Sequence, residues 1–534
     1  METSLIPRAL IAVMVLHLLT ALPSEPAGLM WAAWLRPAPE LPILLIALMS
    51  LGTSLPGRAL RLLAVVALTL VTVLRLADIS MLETLGRRFN PVADLPLIDA
   101  SVRLISGSIG PFAAAAAVAG AVVLFLAIVL GLWWSTGVWM RLVTHRPRLR
   151  SGGAVLATAL TAALVLVQPA GVSALVPQTA AYGAARMDVA ARTIEELAQF
   201  RTEARLDPMA DLRSPLARID RDVLVIFLES YGRTSFDTPF YSADHLPILA
   251  DAQVRLEDLG LAMRSGFATS PTHGGQSWLA HATFANGLRI DDQTRHQASV
   301  ASGRRTLFHY AAKAGFRTAT VMPAIVRPWP EANTMGFDRI LTAADLGYEG
   351  LPFNWVTMPD QFTLTALDRK LRDGNDSRPL FAQVALISSH APWTPVPWLL
   401  DWNLVDDGRE FDAMAQAGDP PSVVWKDRER VREHYRDTIS YVLQTVTEYA
   451  ERHAEDPPLI LLLGDHQAAS SISLDERREV PLHLIGPPDL VEAAAEWGLT
   501  PGLIPPPGSA PLPMEGLRDR FLRSFSGTGD VPPA

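Results

Sequence analysis

Hydrophobic and polar positions divide this chain into two unlike parts. Up to about Leu175 the apolar residues run in long segments: Leu10 to Leu22, Leu41 to Leu55, Leu60 to Leu76, Phe112 to Trp134, and Ala154 to Leu175. Phe112 to Trp134 is uncharged and reaches the ~20 residues a helix needs to cross a bilayer. The second segment is short, with Arg36 and Glu40 just ahead of it, and reads as a longer tilted span or an interfacial helix. The first ends in Leu-Thr-Ala-Leu-Pro-Ser-Glu, only a fair cleavage site, and further apolar segments follow. It reads as a retained anchor.

Past Val176 the pattern changes. Met187 to Leu216 is charged with a helical period and reads as a linker helix near a membrane surface. From Ile219 to about Pro488, short apolar runs alternate with helical stretches, the signature of a mainly parallel sheet sandwiched by helices. Val254 to Met263 and Phe316 to Val321 read as further strands, Val431 to Ala454 as an amphipathic helix, and Val480 to Gly486 as a late strand. The tail is rich in Pro and Gly over Pro501 to Pro513 and then offers a short helix, Met514 to Phe525. The expected organisation is a membrane domain of about five helices over 1–176, a juxtamembrane linker helix over 177–217, an exported α/β domain over 218–495, and a tail over 496–534.

Positive charge sets the expected orientation, because cytoplasmic loops retain Lys and Arg. Arg58 and Arg61 lie between the second and third segments, and Arg141, Arg146, Arg148 and Arg150 between the fourth and fifth. With Arg8 also inside, five spans put everything after Val176 outside the cytoplasm. The chain has no Cys, which fits an exported domain without disulfides and a cytosolic one equally. A formal charge of −9 argues against nucleic-acid binding.

The chemistry concentrates where three apolar runs stop. Asp222 to Leu228 stops at Glu229-Ser230, Phe381 to Ile387 at Ser388-Ser389-His390, and Pro458 to Leu463 at Gly464-Asp465-His466. Carboxyl ends of parallel strands line the ligand crevice of an open α/β sheet, so these groups are expected on one rim. A nucleophile is expected in Ser270-Pro271-Thr272-His273-Gly274-Gly275-Gln276-Ser277-Trp278-Leu279-Ala280-His281. Two glycines before a hydroxyl suit a sharp turn into a helix, whose N–H groups and positive dipole end hold an anion. Ser277 would stand at that helix start, either as nucleophile or merely as its cap.

Leu228-Glu229-Ser230, Gly274-Gly275-Gln276-Ser277 with the Asn286-Gly287 close, Ser389-His390-Ala391-Pro392 and Gly464-Asp465-His466 together resemble the motif order of the alkaline phosphatase superfamily. Within it the chain is similar to the sulfatase-like branch that holds lipoteichoic acid synthases and periplasmic phosphoglycerol transferases. The resemblance implies that Glu229, Asp465 and His466 bind a divalent metal, that Ser277 is both nucleophile and a further ligand, and that His390 contacts the phosphoryl group. Arg327 falls near the segment that binds the donor head group in such proteins. Mn²⁺ is the first choice for the ion, with Mg²⁺ and Zn²⁺ open. The implied partners are a phospholipid donor, a glycan, polymer or lipid acceptor, and the membrane itself, at a bacterial inner membrane with the catalytic domain outside.

Departures mark the limits of that resemblance. Lipoteichoic acid synthases use Thr where Ser277 stands, and either hydroxyl supports the reaction. His281 stands where relatives commonly have a carboxylate, and Trp278-Leu279 replace small polar residues. His273 and His281 read as structural or as acceptor-activating groups. Ser277-Trp278-Leu279-Ala280-His281 lacks the Pro and Arg of a formylglycine sulfatase motif, which argues against sulfate esters. The lack of Cys argues against the phosphoethanolamine transferases that carry disulfides. The leading expectation is phospho-group transfer through a covalent Ser277 intermediate; a phosphate-ester hydrolase and an inactive membrane scaffold are the alternatives.

Overall fold

The computed structural model describes residues 5–26, 38, 40–108, 110–142, 178–354, 356–374 and 376–527. The chain divides into two compact units, one of Met1–Glu83, Arg87–Arg103 and Pro111–Glu196, the other of Thr84–Gly86, Leu104–Gly110 and Leu197–Ala534.

The first unit is helical: α1 (Leu5–Ala21), α2 (Glu40–Leu51), α3 (Leu55–Leu85), α4 (Leu97–Ser108), α5 (Pro111–Arg141) and most of α6 (Gln178–Glu203). Among the described residues α3 and α5, 31 residues each, are long and apolar enough to cross a membrane by length and composition. Two other expected spans form the shorter α1 and α2, of 17 and 12 residues. The fifth, Ala154 to Leu175, lies outside the described residues, as do Arg146, Arg148 and Arg150. The buried Asp78 carboxylate in this unit is paired, as an apolar surrounding requires. Asp78, fully buried on α3, accepts the Tyr182 hydroxyl at 2.7 Å and the Phe89 N–H at 2.9 Å. Arg186 lies 3.5 Å from the same carboxylate.

The second unit is built on one sheet: β1 (Val223–Leu228), β2 (Ala262–Thr269), β3 (Arg317–Met322), β4 (Arg339–Thr342), β5 (Leu380–Leu386), β6 (Leu459–Gly464), β7 (Glu479–Gly486), β8 (Thr500–Pro501) and β9 (Leu512–Pro513). The order is β4-β3-β5-β1-β6-β7-β2-β8, with β9 on β2. The five strands from β4 to β6 run parallel, while β7 is antiparallel to both its neighbours. The helices that matter for the site are α7 (Pro239–Asp258), α8 (Ser277–Asn286), α9 (Asp360–Leu367), α10 (Arg428–Arg452) and α11 (Leu517–Phe525).

Strand β1 shows why the sheet needs helices on both faces. Successive side chains of a strand point to opposite sides, and all six of β1 are buried. Leu224, Ile226 and Leu228 enter one core with α7, α9 and α10 residues such as Leu249, Phe362 and Tyr435. Val223, Val225 and Phe227 enter the other, with Ala280 and Phe284 of α8 and Phe521 of α11. Met209, Leu212 and Leu216, ahead of β1, belong to this second core.

Two expected elements differ. The strand expected over Val254 to Met263 begins at Ala262; Val254 to Asp258 closes α7, whose buried Tyr241, His245, Leu249, Ala252 and Leu256 recur every three to four residues. The linker helix expected over Met187 to Leu216 runs from Gln178 to Glu203. The chain leaves the helix ahead of Asp207-Pro208, where the residue before proline disfavours helical backbone.

Candidate active site

Each of the three strand ends continues past its ladder and delivers a polar side chain. The Glu229 N–H still donates to the Leu386 carbonyl of β5, and the Asp465 N–H to the Leu228 carbonyl of β1. Adjacent parallel strands therefore set Glu229 and Asp465 side by side. Gly464 allows this approach, since a Cβ there would lie 1.9 Å from the Tyr231 carbonyl oxygen.

The loop expected to carry the nucleophile reaches the same place by a separate route. Gly274, Gly275 and Gln276 all have positive φ (73°, 146° and 67°), which glycine takes freely and Gln276 holds under strain. These turns start α8 at Ser277. The loop is stitched to the Asp465 segment by two hydrogen bonds. The Ser270 hydroxyl donates to the Asp465 carbonyl at 2.5 Å, and the Gly274 N–H to the Gln467 carbonyl at 2.7 Å. Helix α8 ends at Asn286, with Gly287 left-handed at φ 63°.

As a result Ser277, Glu229, Asp465 and His466 meet. The Ser277 Oγ donates to Glu229 Oε2 at 2.8 Å and lies 3.3 Å from His466 Nε2. His466 Nε2 is 3.0 Å from Glu229 Oε1 and 3.8 Å from Asp465 Oδ1. Asp465 Oδ1 also accepts the N–H groups of Ser230 at 2.9 Å and His466 at 2.6 Å. Glu229, Asp465 and His466 are buried, and Ser277 is partly exposed. Only the hydroxyl faces an incoming molecule.

The electrostatics of this cluster call for a cation. Burial drives all three groups toward neutrality, yet the charge of His466, then that of His390, holds Glu229 well below the usual carboxylate range. Asp465 is pushed up, first by burial and then by the Glu229 charge beside it. His466 is raised against its own burial by Asp465 and Glu229. Two buried carboxylates cannot both ionise cheaply without a positive partner. Among the described residues Glu229, Asp465 and His466 each offer one ligand atom, all within 4.8 Å of one another. Two carboxylates, one imidazole and an adjacent hydroxyl fit a small divalent ion.

His390 lies on the same rim, one turn beyond β5, partly exposed, with Nδ1 2.5 Å from the Ala391 carbonyl. Arg327 is exposed in the segment after β3, and among the described residues no hydrogen bond ties it to the cluster. His273 and His281, four residues to either side of Ser277, are buried. His273 Nε2 is 3.3 Å from the Asp475 carbonyl, and the His281 ring packs 4.1 Å from that of Phe227. Burial lowers both, His281 to about 4, so His281 is neutral at physiological pH. Three further residues support the site that sequence reasoning left without a role of their own. Ser230 hands its N–H to Asp465, and the Ser389 hydroxyl donates to the Glu229 carbonyl at 2.5 Å. Asp360 caps the end of β5. The signal for the first two was their place beside the motif residues; Pro359-Asp360 reads simply as a helix start.

This rim sets a hydroxyl at a helix start over a buried carboxylate and imidazole set, an arrangement that could hold a divalent ion and present the hydroxyl to an ester. The sulfatase family model matches residues 221–487, half of the 534-residue chain, and the chain belongs to that family, on the sulfatase-like branch of the alkaline phosphatase superfamily. No curated protein matches the sequence. Among solved structures, the lipoteichoic acid synthase of Listeria monocytogenes is similar at 14% identity and a TM-score of 0.38, covering 63% of this chain and 79% of its own. The Streptococcus pyogenes phosphoglycerol transferase, in complex with sn-glycerol-1-phosphate, is similar at 14% identity and a TM-score of 0.36, covering 64% and 94%. The integral membrane lipooligosaccharide phosphoethanolamine transferase A of Neisseria meningitidis, at 12% identity and a TM-score of 0.48, covers 98% of both chains.

Proposed function

We propose that this protein is a membrane-anchored, metal-dependent phosphotransferase that moves a phospho head group, phosphoglycerol-like, from a phospholipid to an extracytoplasmic acceptor. The observation that carries the reading is the Ser277 hydroxyl, the one partly exposed member of a buried ligand cluster, donating to Glu229 at 2.8 Å. Glu229, Asp465 and His466 would hold the ion, with Ser277 beside it. A bound divalent ion, Mn²⁺ first and Mg²⁺ or Zn²⁺ next, lowers the hydroxyl pKa and offsets charge on the phosphoryl oxygens.

The residues divide the work in two displacements. In the first, the Ser277 Oγ gives up its proton to solvent and forms a bond to phosphorus while the bond from phosphorus to the diacylglycerol oxygen breaks. His390 steadies the phosphoryl oxygens or supplies the proton that the leaving oxygen takes. In the second, an acceptor hydroxyl from a glycan, polymer or lipid attacks phosphorus and Ser277 leaves, recovering its proton. Arg327, exposed beyond β3, would meet the anionic head group. Transmembrane anchoring keeps the site at a bilayer surface from which the donor comes.

The test is turnover of a fluorescent phosphatidylglycerol and of nitrophenyl phosphate by the full chain in detergent with Mn²⁺, wild type against Ser277→Ala. Diacylglycerol release by wild type alone is the expected result. Turnover of the nitrophenyl ester alone, with products unchanged by added polyols, would instead define a phosphate-ester hydrolase. Loss of neither activity in Ser277→Ala would overturn the site assignment and favour a scaffold.

A further inference from the structure

The turn that carries His390 is held from a direction the motifs do not reveal. Along β5, N–H groups alternate between its neighbours β1 and β3. The Leu386 carbonyl bonds to the Glu229 N–H on the β1 side, so the N–H of Ile387 faces the other side. There β3 has already stopped, its last paired residue Val321 standing opposite Val384. Asp360 fills the gap. Its Oδ1 accepts the Ile387 N–H at 2.7 Å and the Ser388 N–H at 3.1 Å, and its own N–H donates to the Ser388 Oγ at 2.9 Å.

Asp360 is fully buried, at the first position of α9, and the same helix packs Phe362, Leu364 and Leu367 into the core. The carboxylate is therefore fixed to a rigid element. On the opposite side the Ser389 hydroxyl donates to the Glu229 carbonyl. The next residue is His390, whose N–H closes the turn on the Ile387 carbonyl at 3.0 Å. An unpaired N–H at a buried strand end is costly, so the bonds Asp360 makes to Ile387 and Ser388 hold this turn in one place.

We propose that Asp360 is the positioning residue for His390: it takes the place of β3 where that strand stops short of the β5 end, and sets where the imidazole meets the phosphoryl group. The assignment rests on the phosphotransferase reading for the role of His390, and on geometry alone for the clasp. Burial, with the Glu229 charge adding to it, pushes Asp360 up to about 7, in keeping with a group retained for its two acceptor bonds.

A double-mutant cycle with Mn²⁺-loaded full-length protein tests this, using the same fluorescent phosphatidylglycerol and nitrophenyl phosphate. Asp360→Ala is expected to lower kcat by about tenfold or more with KM nearly unchanged, and by less than about twofold in a His390→Ala background. Asp360→Asn, which keeps an acceptor oxygen, restores most of the loss. Equal losses in both backgrounds would overturn the proposal while leaving the Ser277 reading intact. Hydrogen exchange gives a readout independent of turnover: Asp360→Ala should speed exchange at Ile387 to His390 and leave the β6 end unchanged. Unchanged exchange at Ile387 to His390 would sink the clasp itself. If Asp360→Ala does not fold, Ser388→Ala, which removes the hydroxyl half, runs through the same cycle.

Discussion

Gly464 shows how a single hydrogen atom can decide a site. A methyl there would lie 1.9 Å from the Tyr231 carbonyl oxygen and 3.0 Å from the Val480 Cβ. One obstacle is backbone and the other a buried side chain on β7, so neither can swing away. The strain must be relieved by parting the β1 and β6 ends, which are the segments that carry Glu229 and Asp465. Gly464→Ala is therefore expected to cost about 1–3 kcal/mol, the range for overpacked cores, and to lower Mn²⁺-dependent turnover more than it lowers melting temperature. Thermal melts and turnover measured with and without Mn²⁺ check this. A variant that melts and responds to Mn²⁺ like wild type would show that the strand ends part freely. Glu229, Asp465 and His466 were legible in the sequence because each follows a continuous apolar run, and a strand ends where the apolar run ends; Ser277 was legible from the two glycines ahead of it. Asp360 was not legible, since nothing local to Pro359-Asp360 says that a strand 20 residues further on will lack a neighbour.

At the scale of elements, the apolar runs that became β1, β5 and β6 were readable because parallel strands buried on both faces carry no polar alternation. Strand β2 was not. It runs Ala262-Met263-Arg264-Ser265-Gly266-Phe267-Ala268-Thr269, with polar residues in a sheet interior, while the apolar Val254 and Leu256 just ahead of it belong to a helix. The explanation lies across the sheet, where β7 pairs with β2 along its whole length. His483 of β7 is fully buried, with Nδ1 2.7 Å from the Ser265 Oγ and Nε2 3.2 Å from the Tyr231 hydroxyl. Ser265 passes the contact on to the Gly502 carbonyl at 2.7 Å. Burial lowers His483 to about 3 and His245 to about 4. Unfolded, these imidazoles take up protons as pH falls through about 6.5; folded, they refuse them. The stability they confer is complete above that pH and is lost as pH falls toward 4. Each contributes a slope of up to about 1.4 kcal/mol per pH unit. Denaturation midpoints between pH 7 and pH 4.5 should therefore fall steeply, and less steeply in His483→Gln; identical slopes would mean that His483 is not kept neutral by the fold.

For the whole molecule, the question is where the soluble unit begins. The sequence places a linker over 177–217, because its charge and period look like a surface helix. The contacts from Phe200 onward belong to the unit built on the sheet. Phe200 packs with Leu279 and Ala282 of α8, the helix that starts at Ser277. Met209 and Leu212 are fully buried and Leu216 nearly so, in the core behind β1. Asp207 accepts the Tyr310 hydroxyl at 2.8 Å and pairs with the fully buried Arg518 of α11 at 2.9 Å. Removing these residues strips three apolar side chains from one core, each worth ~1.5–3 kcal/mol, and takes from Arg518 the Asp207 carboxylate, leaving it Asp519 and the Arg305 carbonyl. A fragment beginning at Arg218 should thus be destabilised by roughly 5 kcal/mol or more relative to one beginning at Leu197, a large share of the ~5–15 kcal/mol that holds a typical domain together. The expected outcome is that the Leu197 fragment is soluble and melts in a single transition, while the Arg218 fragment aggregates or melts many degrees lower. Equal melting of the two would mean that the core behind β1 closes without Met209, Leu212 and Leu216. Leu279 is two residues from Ser277, so the shorter fragment is also expected to lose turnover through a loosened α8 before it loses its ability to bind Mn²⁺.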